Sequence, residues 1–325
     1  MNKAYIQAFV AAVVASLLMG TLCIFVRGSA CSAQLCSFAR FSIGLLLIGV
    51  AGVALICGHR GSLKFSGKSF VSGIGISLCI LFYFLAIKET SAGIAALLPA
   101  TGPLFSAVWI ALLEHHLPPR RDGILILTAG LGIVLVSLFA GHSENGHNDT
   151  LGILYGLLSG LFYSLYIMLN RLMNPEVTLL QRTFWQSLAG SIVLLIPLLC
   201  AQCGAWDNFS TGWPWLIGIG LCQGVGVLLL VAYAMRHLSS LEFGIVSCLE
   251  PTEAALIGCL IYGETLRTGQ LCGFVLVLAA ILAKAVMYRK VLEPTGRLVL
   301  SEPPPAADDT PEETEYYEEE ENEFT

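Results

Sequence analysis

Charge is scarce in this chain: 12% of its 325 residues are Asp, Glu, Lys or Arg, against 56% hydrophobic, and the mean hydropathy is +0.76. A water-soluble domain cannot cover its surface with so few charges, so the bilayer must be the main solvent. Enzyme motifs are lacking too. There is no HExxH, no GxSxG and no nucleotide-binding module to drive a primary pump. Gly67-Lys68-Ser69 follows Gly61 at one residue too many for a phosphate loop, and no strand precedes it. With no nucleophile–base constellation in view, the chain is not expected to be an enzyme, and no cofactor is expected. The N-terminus lacks a small-residue cleavage site, so the first apolar stretch reads as a retained helix rather than a signal peptide.

The eleven cysteines are scattered and fall mostly inside apolar stretches (Cys79, Cys222, Cys248, Cys259, Cys272), where they read as small packing residues. Cys200-Ala-Gln-Cys203 is a CxxC at a helix end without a thioredoxin-like βαβ context. Cys31 and Cys36 fall on one side of the membrane, which leaves a bridge open without calling for one. His142 and His147 lack the Cys or carboxylate cluster of a metal site, so no metal is expected there.

What the chain does have is ten apolar stretches, at roughly 6–26, 34–57, 69–87, 91–113, 123–140, 151–170, 183–201, 214–235, 241–262 and 270–288. Each is about the length of helix that crosses a ~30 Å hydrocarbon core. The expected fold is therefore an all-α membrane protein of ten transmembrane helices. Lys and Arg set its orientation. With the N-terminus in the cytoplasm, thirteen bases fall on the cytoplasmic side, and only Arg27, Lys88 and Arg267 fall outside. The loops 141–150 and 202–213 hold no Lys or Arg, as outer loops should. The net charge of −6 hides a division. From residue 292 onward there are twelve acids and one base; the preceding body has sixteen bases and eleven acids, a net of +5. That tail, Pro-rich at Pro303-Pro304-Pro305 and then acidic, cannot bury apolar area and is expected to be disordered and cytoplasmic.

The second five stretches repeat the first five. Ala86 pairs with Ala234, Lys88 with Arg236, Ser91 with Ser239 and Pro103 with Pro251, all at one offset; Gly123 then pairs with Gly273. In each copy a base closes one helix beside its last carbonyls and a short Ser-containing link starts the next. A mid-span proline then removes a backbone bond, which is tolerated only where protein or a wet cavity covers the freed carbonyl. Because each copy has an odd number of spans, the copies must insert in opposite senses, an inverted repeat with its substrate site at the seam. The implied domains are 1–140, an outer linker 141–150, 151–291, and the tail 292–325.

Two copies of A-x-[KR]-x-x-S, the mid-helix proline and a closing Gly263-Glu264-Thr265-Leu266 resemble the drug/metabolite transporter superfamily, in its ten-helix EamA-type branch. The first copy departs from the pattern, with Glu114-His115-His116-Leu117 in place of GE-x-L. The resemblance implies a ten-helix bundle around a central cavity, from helices 1, 3, 4, 6, 8 and 9, that moves solutes by alternating access. It also implies a bacterial inner membrane. Within the superfamily the chain is similar, as a whole rather than by any one motif, to exchangers that bring S-adenosylmethionine into intracellular bacteria and take S-adenosylhomocysteine out.

Ionisable groups inside spans are the best markers of a site, since insertion of one at mid-helix costs about 2.5–3.5 kcal/mol. Glu250 and Glu253 lie near the middle of the ninth stretch, three residues apart and so on one helix face, with Pro251 between them. Two carboxylates this close repel one another; a proton or a cationic substrate relieves that. Arg40, two turns into the second span, either holds a substrate carboxylate or bridges to Glu250 or Glu253, the second being favoured. Tyr163, Tyr166 and Asn170 form one stripe of the sixth span. With Trp185, Gln186 and Gln223 they complete the candidate substrate wall, a clamp for a cation or a flat heterocycle if they are not simply helix packing. Gly152, Gly156 and Gly160 recur every four residues, as do Gly220 and Gly224, and need only close helix packing to explain them. The expected partners are a small-molecule substrate and the lipid bilayer, with a homodimer left open and no nucleic acid. The expected function is S-adenosylmethionine uptake in exchange for S-adenosylhomocysteine. An amino-acid or drug exporter of the same fold is the alternative, and a non-transporting sensor or adaptor using the acidic tail is the alternative of another class.

Overall fold

The computed structural model describes residues 3–57, 65–102, 104–105, 108–109, 120–139, 148–171, 177–200, 206, 208–234, 246–247, 249–265 and 267–288. Among these residues there is no β-strand. The helices are α1 Lys3–Gly20, α2 Leu22–Gly28, α3 Ala33–Cys57, α4 Gly67–Glu89, α5 Ala92–Leu97, α6 Arg120–Leu138, α7 Asp149–Arg171, α8 Leu179–Cys200, α9 Phe209–Gly218, α10 Val227–Ala234, α11 Leu249–Tyr262 and α12 Thr268–Tyr288. Met1–Val286 form one compact unit; of the second, Met287–Thr325, only Met287 and Tyr288 are described. The loop 140–147, Pro103, Glu114 to His116, Arg236, Cys203, Cys248 and the acidic tail lie outside the described residues, so the readings that rest on them do too.

Helix is the expected solution here, because lipid offers no partner to an unpaired N–H or C=O. Six described helices are long and apolar enough to cross a bilayer: Tyr5–Gly28, Ala33–Val50, Gly67–Glu89, Asp149–Leu169, Leu180–Cys200 and Phe209–Val231. Shorter apolar helices run over Ala92–Thr101, Gly123–Val136 and Thr268–Ala283. The structure is thus that of an all-α, multi-pass membrane protein. Most observed bounds fall within a few residues of the sequence expectation, and two stretches differ. The eighth stretch starts at Phe209, not 214, with Pro214 inside the helix. It is also not uniform: Ile219–Gly226, rich in glycine, forms a π-helix between α9 and α10. The fourth stretch leaves α-geometry early, since Pro99, which has no N–H to give, opens a 3₁₀ turn over Pro99–Thr101 after α5.

The first span is bent. α1 ends at Gly20 and α2 begins at Leu22, and the carbonyl of Leu18 accepts the Thr21 hydroxyl at 2.7 Å and the side-chain amide of Gln223. Side-chain donors at a helix carbonyl are a recognised cause of such bends. α4 is the central post, packed on α3, α5, α7 and α8, and its Phe84 and Ile87 are fully buried with Leu22, Val26, Leu194 and Leu198. Outward, Leu46, Val50, Leu127, Leu131, Ile196, Leu199 and Leu260 are exposed, the belt that a bilayer covers. The expected glycine stripes do pack closely: Gly152 faces Thr90, Gly156 and Gly160 face Leu98, and Gly220 faces Ile43. The π segment approaches α3 closely enough that a Cβ on Gly224 would lie 2.8 Å from the Arg40 carbonyl oxygen. Only glycine fits there, and that approach fixes where Arg40 sits.

Candidate functional site

Five side chains from four helices meet in the middle of the bundle. Glu250, in the first turn of α11, accepts a hydrogen bond from the Tyr83 hydroxyl of α4 at 3.2 Å. Arg40 of α3 lies within electrostatic reach of Glu250, Tyr83, Tyr166 and Cys79. Tyr163 is within reach of Glu250, Tyr166 and Cys79. The rings of Tyr163 and Tyr166 stack, with centroids 5.9 Å apart and planes at 17°. Tyr83 is buried, but Arg40, Tyr163, Tyr166 and Glu250 are half-buried. The cluster therefore presents a cation on one side, a carboxylate held by a phenol on another, and a flat aromatic face.

Glu253 lies on the same side of α11 but takes a different seat. Its carboxylate rests on Gly20 at the bend of the first span; a Cβ there would overlap Oε2 and lie 2.9 Å from Cδ. A side chain at the bend would push that carboxylate from its seat. Glu253 Oε2 is buried and has no hydrogen-bond partner among the described residues. The two glutamates thus face different helices, α4 and α1, rather than forming one paired carboxylate site.

One expectation is corrected. The favoured ion pair from Arg40 to Glu250 or Glu253 is not formed: among the described residues no carboxylate lies within 4.0 Å of Arg40. The reason is geometric. The π segment pins α3 by the Arg40 backbone, while Tyr83 holds Glu250 on α4.

Other expected wall residues are placed elsewhere. Trp185 packs edge-on against Phe65, with centroids at 4.9 Å, and against Phe184 at 5.3 Å, an aromatic cluster beside the start of α4. Gln186 is buried and donates to the Ser72 hydroxyl at 2.6 Å, which ties α8 to α4. Gln223 is buried, props the helix bend through Leu18, and leaves its Oε1 without a partner among the described residues. All three stand out in the sequence as polar or aromatic residues in spans; the contacts named here join neighbouring segments of the bundle. Asn170 belongs to α7, but its side chain lies outside the described residues.

Sequence reasoning passed over Tyr83 and Glu264. Tyr83 is a hydroxyl inside the apolar run Leu-Cys-Ile-Leu-Phe-Tyr-Phe-Leu, which was the available signal. Glu264, quoted only as part of a motif, is the hub of a network at one end of the bundle. Arg27 at the end of α2 binds Glu264 Oε1 at 2.5 Å, donates to the carbonyls of Ile87 at 3.0 Å and Thr90 at 2.8 Å, and lies over the Tyr262 ring at 4.7 Å. Glu264 Oε2 accepts the first N–H of α5, from Ala92, at 2.9 Å. Thr90 passes the linkage on, donating to Asp149 at the start of α7 at 2.9 Å. Five helices are thereby tied together at that end.

Residues 150–284 match the model of the EamA-like transporter family. Over 278 residues, 84% of this chain and 94% of the relative, the sequence is 28% identical to an uncharacterized transporter of Archaeoglobus fulgidus. It is 26% identical over 224 residues to the threonine/homoserine exporter RhtA of Escherichia coli, covering 67% of this chain and 70% of that protein. A protein of known crystal structure shares the fold with a TM-score of 0.58 at 18% identity, over 87% of this chain and 98% of that one. The chain is thus similar in sequence to membrane transporters and similar in fold to a solved structure over nearly the whole of both.

Proposed function

We propose that this chain is a secondary transporter of the drug/metabolite superfamily that moves a small amino-bearing metabolite by alternating access. In this reading 1–140 and 151–291 are inverted five-helix repeats, joined by an outer linker at 141–150, with both termini cytoplasmic. The observation that carries the reading is the cluster of Arg40, Tyr163, Tyr166 and Glu250, none of them fully buried, at the depth of the spans. Charged groups are retained inside a membrane where they meet a substrate or a coupling ion. The match of residues 150–284 to the transporter family model, and the similarity to RhtA, favour amino-acid export.

The stacked tyrosine pair supports a second reading, S-adenosylmethionine exchanged for S-adenosylhomocysteine, because an adenine ring takes an aromatic face and a sulfonium takes a carboxylate. Reconstitution into vesicles decides between them. Counterflow of labelled threonine and homoserine, but not of S-adenosylmethionine, is the expected result; the reverse selects the second reading. Movement of no labelled metabolite in a broad panel rejects transport. Accessibility labelling that put 202–213 on the same face as the C-terminus would remove the inverted repeat.

A further inference from the structure

We infer that Arg40 is a carboxylate anchor and that the ligand of this cluster carries the joined ammonium and carboxylate of an α-amino acid; this rests on the transport reading above. A guanidinium presents five N–H donors in a fork that matches a carboxylate. In this structure that fork makes no hydrogen bond and no ion pair with any described residue. A cation held in a span without a partner is unfavourable, and it persists where something outside the chain completes it. Arg40 is also kept from its nearest counter-charge. Glu250 is within electrostatic reach but beyond ion-pair distance, and the Tyr83 hydroxyl holds its carboxylate on the α4 side.

The ligand's own charges follow from this separation. A plain anion would satisfy Arg40 and then face Glu250. A plain cation would satisfy Glu250 and then face Arg40. A ligand with a carboxylate and an ammonium on one carbon satisfies both, and its short charge separation suits two opposite charges held apart but close. Amino acids and S-adenosylmethionine share this head group, so the anchor serves either reading of the substrate. Glu253, seated on Gly20 and away from this pair, is left for a side-chain group or a proton.

Equilibrium binding to the full-length protein in lipid nanodiscs tests the assignment, with threonine, homoserine, methionine and S-adenosylmethionine as probes. Each is compared with its methyl ester and with the amine that lacks the carboxylate. At least one parent should bind, and its ester and amine should bind about tenfold to a hundredfold more weakly, the loss expected for a charge-assisted contact. In Arg40→Gln the parent, ester and amine should bind alike, and Arg40→Lys should keep part of the discrimination. Equal binding of parent and amine to the native protein overturns the inference, as does discrimination that survives Arg40→Gln or binding of none of the probes. The ligand-side comparison needs no variant, so it decides even if Arg40→Gln does not fold. Binding with discrimination but no counterflow would remove the transport reading and leave the anchor in place. Counterflow of an amine as avid as its parent would do the opposite.

Discussion

Arg27 and Glu264, 237 positions apart in sequence, meet at 2.5 Å with their side chains 13% and 18% exposed. The contact joins the end of the first span to the turn that follows α11. It ties segments far apart in the chain together at one end of the bundle. Removing either partner leaves the other charge partly buried and unpaired, so Arg27→Ala and Glu264→Ala should each lower stability by about 2–3 kcal/mol. Thermal unfolding of the singles and of the double variant checks this. The double should unfold close to the worse single, because the interaction is lost only once; additive losses would mean the pair is not coupled.

Glu250 and Glu253 should not be interchangeable. Glu250→Gln removes the charge that Tyr83 holds beside α4, and it should abolish uptake in vesicles at unchanged expression. Tyr83→Phe removes only the hydrogen bond and should weaken transport about tenfold or less. Normal transport by both glutamine variants would show that the carboxylates are not part of the site.

Gly20 should be intolerant of a side chain for a specific reason. The methyl of Gly20→Ala would occupy the seat of the Glu253 carboxylate. Transport should fall at least about tenfold, whereas a solvent-facing Gly→Ala change in a helix would be mildly stabilising. Glu253→Asp, one methylene shorter, should restore part of the loss when combined with Gly20→Ala. If the double variant is no better than the single, the two residues do not share that space.

Gln186→Leu should separate packing from binding. It leaves the buried Ser72 hydroxyl without its donor and should lower stability by about 1–2 kcal/mol while leaving KM unchanged. A raised KM with unchanged thermal stability would return Gln186 to the substrate wall.

Truncation after residue 291 should leave uptake unaltered, because the acidic, Pro-rich segment holds little apolar area for its length and charge. Loss of function on truncation, with the membrane body still folded, would favour an adaptor that acts through its tail.

Much of the architecture was legible because hydropathy over 20 residues is a strong local signal and lipid admits only helices. The starts and ends of α3, α4, α7 and α12 follow from it within a few residues. The internal breaks were less legible. The π turn at Ile219–Gly226 and the bend at Gly20 depend on what neighbouring helices bring against those backbones, which no window along one helix contains. The candidate site was legible in its charges and not in its pairings. Arg40, Glu250 and the tyrosine stripe stand out as polar groups in apolar runs. Trp185, Gln186 and Gln223 stand out for the same reason, yet they pack on Phe65, Ser72 and Leu18.

From its sequence alone the chain had to be a helical membrane protein with a few costly charges in its spans, because composition and segment length depend only on local chemistry. The tertiary structure decided which of those charges meet. It joined Arg27 to Glu264, gave Glu250 to Tyr83, seated Glu253 on Gly20 and left Arg40 with no partner among the described residues. Each of these contacts links segments far apart in the chain. Which of them forms is set by how closely two backbones approach, and that distance is decided only once the helices pack.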